Sequence, residues 1–558
     1  MKYLLLLLAA FAPLVAGAQS TSASSRHNFE TSRQLDIFNS LYRDLDLYYV
    51  DTLDAKKNVE NAVLYMLSQL DPYTVYYADD QTEELRRMTT GKYAGVGSVI
   101  SYRDDLRRCV VAAPYEGMPA AEAGLRLGDV ILSVDGKEFE KDDRQPAADF
   151  SSAVSEALRG QPGTPLDIRV RRTGADRPLD FHLVRRTVTL PSITLSRLLN
   201  DSVGYIALDQ YTENTARDVR LALVSLKQQG ARRLVLDLRG NVGGLMLEAV
   251  NIVNLFVPRG KEIVATRGKL KETTAAFKTT ADPLDLDIPV VVLVDGETAS
   301  AAEITAGALQ DYDRAVIMGS RTYGKGLVQE TRELPYGTVL KLTTSKYYIP
   351  SGRCVQAYKF ENGRPVHLPD SLAREFRTAA GRVVRDGGGI MPDVELPADS
   401  LPNLLAYLST SDALFDYVVN YRNTHDSIAA PEAFALTDAD YAALRDYLRA
   451  HDFTYDRQSL RLLDALRQVA AREGYADVAR AELDALETKL NHNEDFDFTR
   501  WRPEIQRLVE HAIVSAYYYD AGAARYALRA DKAVDAALEL LADDARYRSL
   551  LAAPARRR

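Results

Sequence analysis

Apolar residues recur at helical spacing near the start of the chain. Leu35, Phe38, Leu41, Leu45 and Tyr48 fall three or four residues apart, as do Val59, Val63, Met66, Leu67 and Leu70. This spacing predicts two amphipathic helices. Asp71-Pro72 closes the second, because proline disfavours helical geometry in the residue before it. The period then shortens. Between 91 and 186 short strands are predicted at 96–101, 109–113, 129–134, 166–171 and 179–186, mostly bounded by Gly, Pro and Asp. Helices at 119–123 and 150–158 interrupt them, the second with Asp149 placed to cap it. From 187 to 397 strands at 203–209, 233–238, 289–294 and 315–318 alternate with helices at 215–229, 245–256 and 301–310. Hydrophobic strands covered by helices form an α/β layer architecture. After Leu401 the pattern is helical again. Thr437 and Asp440 read as a variant capping box, and Pro503 suits the first turn of a helix carrying Ile505, Leu508, Val509 and Ile513.

These changes divide the chain into a leader at 1–18, a helical segment at 27–90, a small α+β domain at 91–186, an α/β core at 187–397 and a helical domain at 398–558. The leader has Lys2, an apolar run from Leu4 to Val15, and Ala16-Gly17-Ala18. That is the pattern of a secretory signal peptide, too short to span a bilayer comfortably. The mature chain is expected to begin near Gln19 and to act outside the cytoplasm, in the periplasm or beyond the cell, without a stable membrane span. Composition changes the picture little. Lys and Arg total 69 against 78 Asp and Glu, a net charge of −9, so the basic excess of a nucleic-acid-binding chain is missing. Two cysteines, Cys109 and Cys354, cannot build a disulfide scaffold or a four-cysteine metal site, and both are expected to be buried thiols. No metal site and no cofactor is expected.

The chemistry concentrates in four segments. In the first, the strand 290–294 runs through a tight turn into a helix that starts at Ser300. A hydroxyl there faces orphan backbone amides and the positive end of the helix, which suits a nucleophile but equally suits an N-cap. The second segment sets Lys325 between Gly324 and Gly326 just after a strand. Flanking glycines allow close backbone approach, and a desolvated lysine can serve as base if its pKa falls from ~10.4 toward neutrality. Gln329 lies four residues on and could hold the amine. The seven histidines leave a gap from His182 to His367, so serine–lysine is a better reading than serine–histidine. A phosphate loop spanning Gly319 to Lys325 is disfavoured, because Gly326 stands where Ser or Thr is required and strands follow. The third segment, Asp237-Leu-Arg-Gly-Asn-Val-Gly243-Gly244, offers oxyanion-hole amides or a simple turn. In the fourth, Tyr93-Ala94-Gly95-Val96-Gly97 leads into a strand and could clasp a terminal carboxylate.

Together these segments resemble the carboxyl-terminal processing (tail-specific) proteases. The likeness runs through residues 117–131, which look like that family's PDZ domain. It continues through Asp-Leu-Arg-Gly-Asn-x-Gly-Gly, Thr-Ala-Ser-Ala-x-Glu-Ile, Thr-Tyr-Gly-Lys-Gly-x-Val-Gln, Ser351-Gly-Arg-Cys-Val-Gln356 and Asp386-Gly-Gly-Gly-Ile-x-Pro-Asp393. Val242 stands where the family often has proline, and Tyr323 where phenylalanine is common. The resemblance implies a multidomain α/β protein: a crotonase- and Clp-protease-like core, an inserted PDZ-like domain and helical extensions at both ends. It implies Ser300 as nucleophile, Lys325 as general base and Gln329 as its orienting partner, with Ala301 and Gly243 or Gly244 supplying the oxyanion hole. The expected activity is exported serine endopeptidase cleavage of proteins selected by free, apolar C-termini. The rival is an inactive PDZ scaffold or chaperone. The helical tail is assigned to packing or to docking a partner, either a second copy or an adaptor.

Overall fold

Every residue of the strand Val290–Val294 is buried, as an unbroken aliphatic run of four valines and Leu293 predicts for a central parallel strand. In the computed structural model, which describes residues 2–397, 402–491 and 494–553, this strand lies inside a six-stranded sheet. The order is Ile193–Leu198, Val203–Leu208, Arg233–Asp237, Val290–Val294, Val316–Gly319 and Val394–Glu395. The first pair is antiparallel and the other neighbours are parallel. Alternate side chains go to opposite faces. Ile206, Leu234, Leu236, Val290, Val292 and Ile317 pack with the helices Thr215–Gln228, Met246–Asn254 and Ala301–Asp311. Tyr205, Val235, Val291, Leu293, Val316 and Met318 pack against Val534, Ala537, Leu540, Leu541 and Tyr547. The second cover therefore comes from the far end of the chain.

The chain divides into two units, Met1–Tyr76 with Phe360–Arg364, and Tyr77–Lys359 with Pro365–Arg558. The first holds the helices Lys2–Tyr48 and Ala55–Ser68, the latter capped by Asp54, which accepts the Lys57 amide at 3.0 Å. The long helix runs unbroken through the residues assigned to an export signal. Leu35, Phe38, Leu41 and Leu45 are exposed on it, so the apolar face that the spacing defines is not buried against the described residues. No helix among the described residues is long and apolar enough to cross a membrane.

Within the second unit, the α+β region forms a sheet in the order Ser98–Arg103, Arg108–Pro114, Val130–Val134, Pro165–Arg171, Leu179–Val184. Leu166, Ile168 and Val170 point inward along one strand in strict alternation. The helix beside them begins at Ala147, and Asp149 sits in its first turn without capping it. Three residues of the sequence 147–149 thus extend the helix beyond its expected start. The terminal helices share a core built on Leu404, Leu408, Val418, Leu444, Ile505 and Ile513. Thr437 and Asp440 make the reciprocal capping bonds, 3.1 and 2.9 Å, and Pro503 occupies the first turn of Arg502–Ala527. Cys109 and Cys354 are buried, unbridged thiols.

Candidate active site

Two turns at the carboxyl ends of neighbouring strands meet at Ser300. The glycine turn follows Arg233–Asp237, and the serine turn follows Val290–Val294. Backbone and side-chain bonds join them. The Ala299 amide donates to the Asn241 carbonyl at 2.9 Å, the Thr298 hydroxyl to the Leu238 carbonyl at 2.8 Å, and the Gly240 amide to both Asp295 oxygens at 3.0 Å. Asn241 is fully buried and accepts the Gly243 amide at 2.8 Å. A Cβ on Gly243 would lie 2.8 Å from Ser300 Cβ and 2.8 Å from the Ala301 nitrogen, so only glycine allows the turn this close.

Ser300 itself has φ 56° and ψ −115°. Ser300 does stand at the N-cap, in a capping box with Glu303, but its backbone is not the extended one usual at that position. A non-glycine residue at positive φ is strained, and such strain persists only where the surroundings over-determine it. Those surroundings are specific. The Tyr347 hydroxyl donates to the Ser300 carbonyl at 3.1 Å, and the Ser300 amide donates to Glu303 Oε2 at 2.9 Å.

Glu303 also reaches the lysine loop. Its Oε2 accepts the Lys325 amide at 2.8 Å, and its Oε1 accepts the Gly324 amide at 2.8 Å and the Thr322 hydroxyl at 2.6 Å. One fully buried carboxylate thus ties the backbone of Ser300 to that of Lys325. Burial pushes the Glu303 carboxyl up, while its four donors pull the other way. Glycines flank the lysine because the chain is crowded there. A Cβ on Gly324 would lie 2.4 Å from Ala357 Cβ, and one on Gly326 would lie 2.7 Å from the Gln356 nitrogen. Lys325 is half-buried between them.

The other expected residues fall in two places. Ala301 opens the helix Ala301–Asp311. Among the described residues no acceptor takes its amide or that of Gly244, whereas the Gly243 amide is given to Asn241. Gln329 lies on Leu327–Glu333, opposite Thr343, and donates its side-chain amide to Thr343 Oγ1 at 3.2 Å. In the segment expected to bind tails, Tyr93, Ala94 and Gly95 belong to the strand Lys92–Gly95 paired with Arg186–Thr189. The loop is therefore shorter than expected, and only Val96 and Gly97 of the five lie outside a ladder. A cavity of about 210 Å³ opens beside them, lined by Tyr93, Val96, Gly97, Tyr115, Leu158, Arg159 and Arg87 among others. Burial holds the Tyr93 phenol up at about 12, with Tyr115 adding to it and Arg159 and Arg87 opposing. Arg159 lies over the Tyr93 ring at 6.0 Å.

Sequence reasoning missed Glu303, Arg87 and Arg159 as candidate site residues. Glu303 carried a readable signal as the third helical position after a serine. The two arginines carried none, being single charges at helix ends.

Three family models match parts of the chain. Residues 202–363 match the model of peptidase family S41, residues 110–172 that of a PDZ domain, and residues 404–541 that of the C-terminal helical domain of a probable PDZ-protease. The chain is 35% identical over 349 residues to a carboxy-terminal-processing protease of Bartonella bacilliformis, covering 62% of this chain and 77% of the relative. It is 31% identical over 340 residues to the carboxy-terminal processing protease CtpA of Bacillus subtilis, covering 60% and 70%. Among solved structures, the photosystem II D1 C-terminal processing protease is similar at 28% identity, with 64% of this chain and 87% of that chain covered and a TM-score of 0.35.

Proposed function

Because this chain belongs to the carboxy-terminal-processing proteases of peptidase family S41, we propose that it is an exported serine endopeptidase that selects substrates by their C-terminal tails, with Ser300 as nucleophile and Lys325 as general base. The observation that carries this reading is the Glu303 clamp, which takes the amides of Ser300 and Lys325 on one oxygen, at 2.9 and 2.8 Å.

The reaction runs in two stages. A neutral Lys325 amine takes the Ser300 hydroxyl proton as Oγ attacks the scissile carbonyl carbon. Charge collects on the carbonyl oxygen, where the Ala301 amide and that of Gly243 or Gly244 would meet it. Gly244 is favoured, since Asn241 already takes the Gly243 amide. The lysine then gives its proton to the leaving amine, and an acyl-serine remains. Water, deprotonated by the same amine, releases the new carboxylate and restores Ser300. Gln329 would hold the lysine amine through its side-chain oxygen, the nitrogen being given to Thr343. A base that must be neutral makes the rate rise with pH.

In the PDZ domain the Val96 and Gly97 amides would receive the tail's carboxylate, helped by Arg87 and Arg159, while Val96 and Leu158 favour an apolar last residue. Export is supported by the leader pattern, and the mature protein would begin near Gln19. The test is incubation of the purified enzyme with an unfolded protein, with products read by mass spectrometry for wild type, Ser300→Ala and Lys325→Ala. Cleavage lost in both variants supports the reading. Undiminished cleavage by Ser300→Ala overturns it and leaves a scaffold or chaperone.

A further inference from the structure

The glycine turn is gripped from outside the protease core. Asp531 caps the helix Lys532–Ala542, accepting the Ala533 and Val534 amides on Oδ1 at 3.0 and 3.1 Å. The same carboxylate takes both terminal nitrogens of Arg239, Nη1 at 3.1 Å and Nη2 at 2.7 Å. Arg239 is the second residue of the glycine turn, after Leu238. From its other side it is held by Asp237, whose Oδ1 accepts Arg239 Nε at 2.9 Å and its amide at 3.0 Å. Asp237 is itself fixed by the Tyr205 hydroxyl at 2.8 Å. A guanidinium bound bidentately on two edges has one orientation.

The cap cannot drift, because its helix is seated on the sheet. Val534, Ala537, Leu540 and Leu541 pack against Val235, Val291, Leu293 and Val316. Val235 lies on the strand that feeds the glycine turn, and Leu293 on the strand that feeds the serine turn. Two residues beyond Arg239, Asn241 holds the Gly243 amide with its side chain and the Ala299 amide with its carbonyl. A shift of Arg239 is thus a shift of the amides that face Ser300.

We propose that the helical domain supplies Asp531 as a positioning residue for the proteolytic site, acting through Arg239 on the glycine turn; this rests on the reading of Ser300 as nucleophile. The ion pair is a geometric device rather than a stabilising one. Both side chains keep some solvent contact, 27% for Arg239 and 15% for Asp531, and partly exposed pairs contribute little to stability. A displacement of about 1 Å in a catalytic turn, however, can cost about a hundredfold in rate.

The test uses the full-length enzyme with Asp531→Asn, which keeps a good N-cap but removes the charge. The control is Leu444→Ala, in the core that the helical domain shares with Leu408 and Ile505 and away from both Arg239 and the seat of the Asp531 helix. At a temperature where both are folded by circular dichroism, Asp531→Asn should lower kcat by about ten- to a hundredfold with KM nearly unchanged. Its reaction with a serine-directed phosphonate, whose phosphoryl oxygen needs the same amides, should slow in parallel. Leu444→Ala should lose more thermal stability and keep its kcat within about twofold. A kcat for Asp531→Asn close to wild type, or no lower than that of Leu444→Ala, overturns the proposal while leaving an inactive Ser300→Ala intact. Full activity of Ser300→Ala would instead remove the nucleophile reading on which it rests.

Discussion

The turns around Ser300 and the groove beside Gly97 are both bordered by short glycine-containing segments, yet they are held in opposite ways. Around Ser300 the holding groups are buried. Glu303, Asn241 and Thr298 are each at 0% exposure, and each bonds the backbone of a neighbouring turn. Hydrogen bonds in so dry a setting meet little competition from water, and a partner left unpaired is costly. At the groove the charged groups are half-buried arginines on helix ends, Arg87 and Arg159. Water screens them, and their side chains can adjust. The first region holds its atoms still, whereas the second, on the proposed reading, would admit different tails. Substitutions in the first should damage rate and stability together; those in the second should change selection and little else.

The largest effect should come from the proposed nucleophile and base. Ser300→Ala and Lys325→Ala are each expected to lower kcat/KM for a peptide substrate by several orders of magnitude, because nucleophile and base act as one unit. The double variant should be little worse than either single. Steady-state kinetics on all three decides it, and full additivity would count against the pairing. Next comes Glu303→Gln, which has nearly the same shape but offers one acceptor where four donors converge. Each buried donor left unpaired costs about 1–3 kcal/mol. Urea unfolding should therefore show a loss of a few kcal/mol, and kcat should collapse in protein that is still folded. Wild-type kcat in that variant would mean that the clamp is not what aligns Ser300 with Lys325.

How much of this was legible in the sequence differs between the same two regions. The run at Val290–Val294 announced a strand buried on both faces, and strand–helix alternation announced the layer on one of them. What covers the other face was not legible, since Leu540 and Leu541 lie far along the chain in a segment with an ordinary helical pattern. Serine, lysine and the glycine turn could each be found because their local neighbours are unusual. Glu303 could be found only as a helix-start residue, because its role depends on folding Lys325 back against it. The groove was the least legible part. Tyr93 and Ala94 read as loop, but cross-strand pairing with residues 187 and 188 draws them into a ladder, and nothing local reports a partner so distant.

A smaller loss is expected from Gly324→Ala. Its φ is 86° and its added Cβ would lie 2.4 Å from Ala357 Cβ, so both backbone and packing must yield. A residue forced into such a conformation costs about 1–3 kcal/mol, readable as a lowered urea midpoint. Because Gly324 and Lys325 share Glu303, kcat should fall as well, by about tenfold if the amine moves a fraction of an ångström. Loss of stability with unchanged kcat would separate the loop's packing from its chemistry.

The smallest effect tests the groove directly. A free carboxylate in it would meet the Val96 and Gly97 amides and the two arginines. Hydrogen bonds to a charged group contribute about 1.5–3 kcal/mol when dry, but a half-buried arginine is partly screened and contributes about 1 kcal/mol or less. Amidating a substrate's C-terminus removes every one of these contacts, so kcat/KM should drop by roughly tenfold or more, while Arg159→Ala should cost only about two- to fivefold on the free acid. On the amide, Arg159→Ala should cost almost nothing, because no carboxylate remains for the guanidinium to meet. Matched acid and amide peptides, each run with wild type and Arg159→Ala, give the coupling as a double-mutant cycle. An arginine effect of equal size on both peptides would place Arg159 in the packing over Tyr93 and leave tail capture to the backbone amides. Equal kcat/KM for acid and amide in wild type would take tail reading away from this groove altogether, leaving the buried turns to cleave whatever another selector delivers.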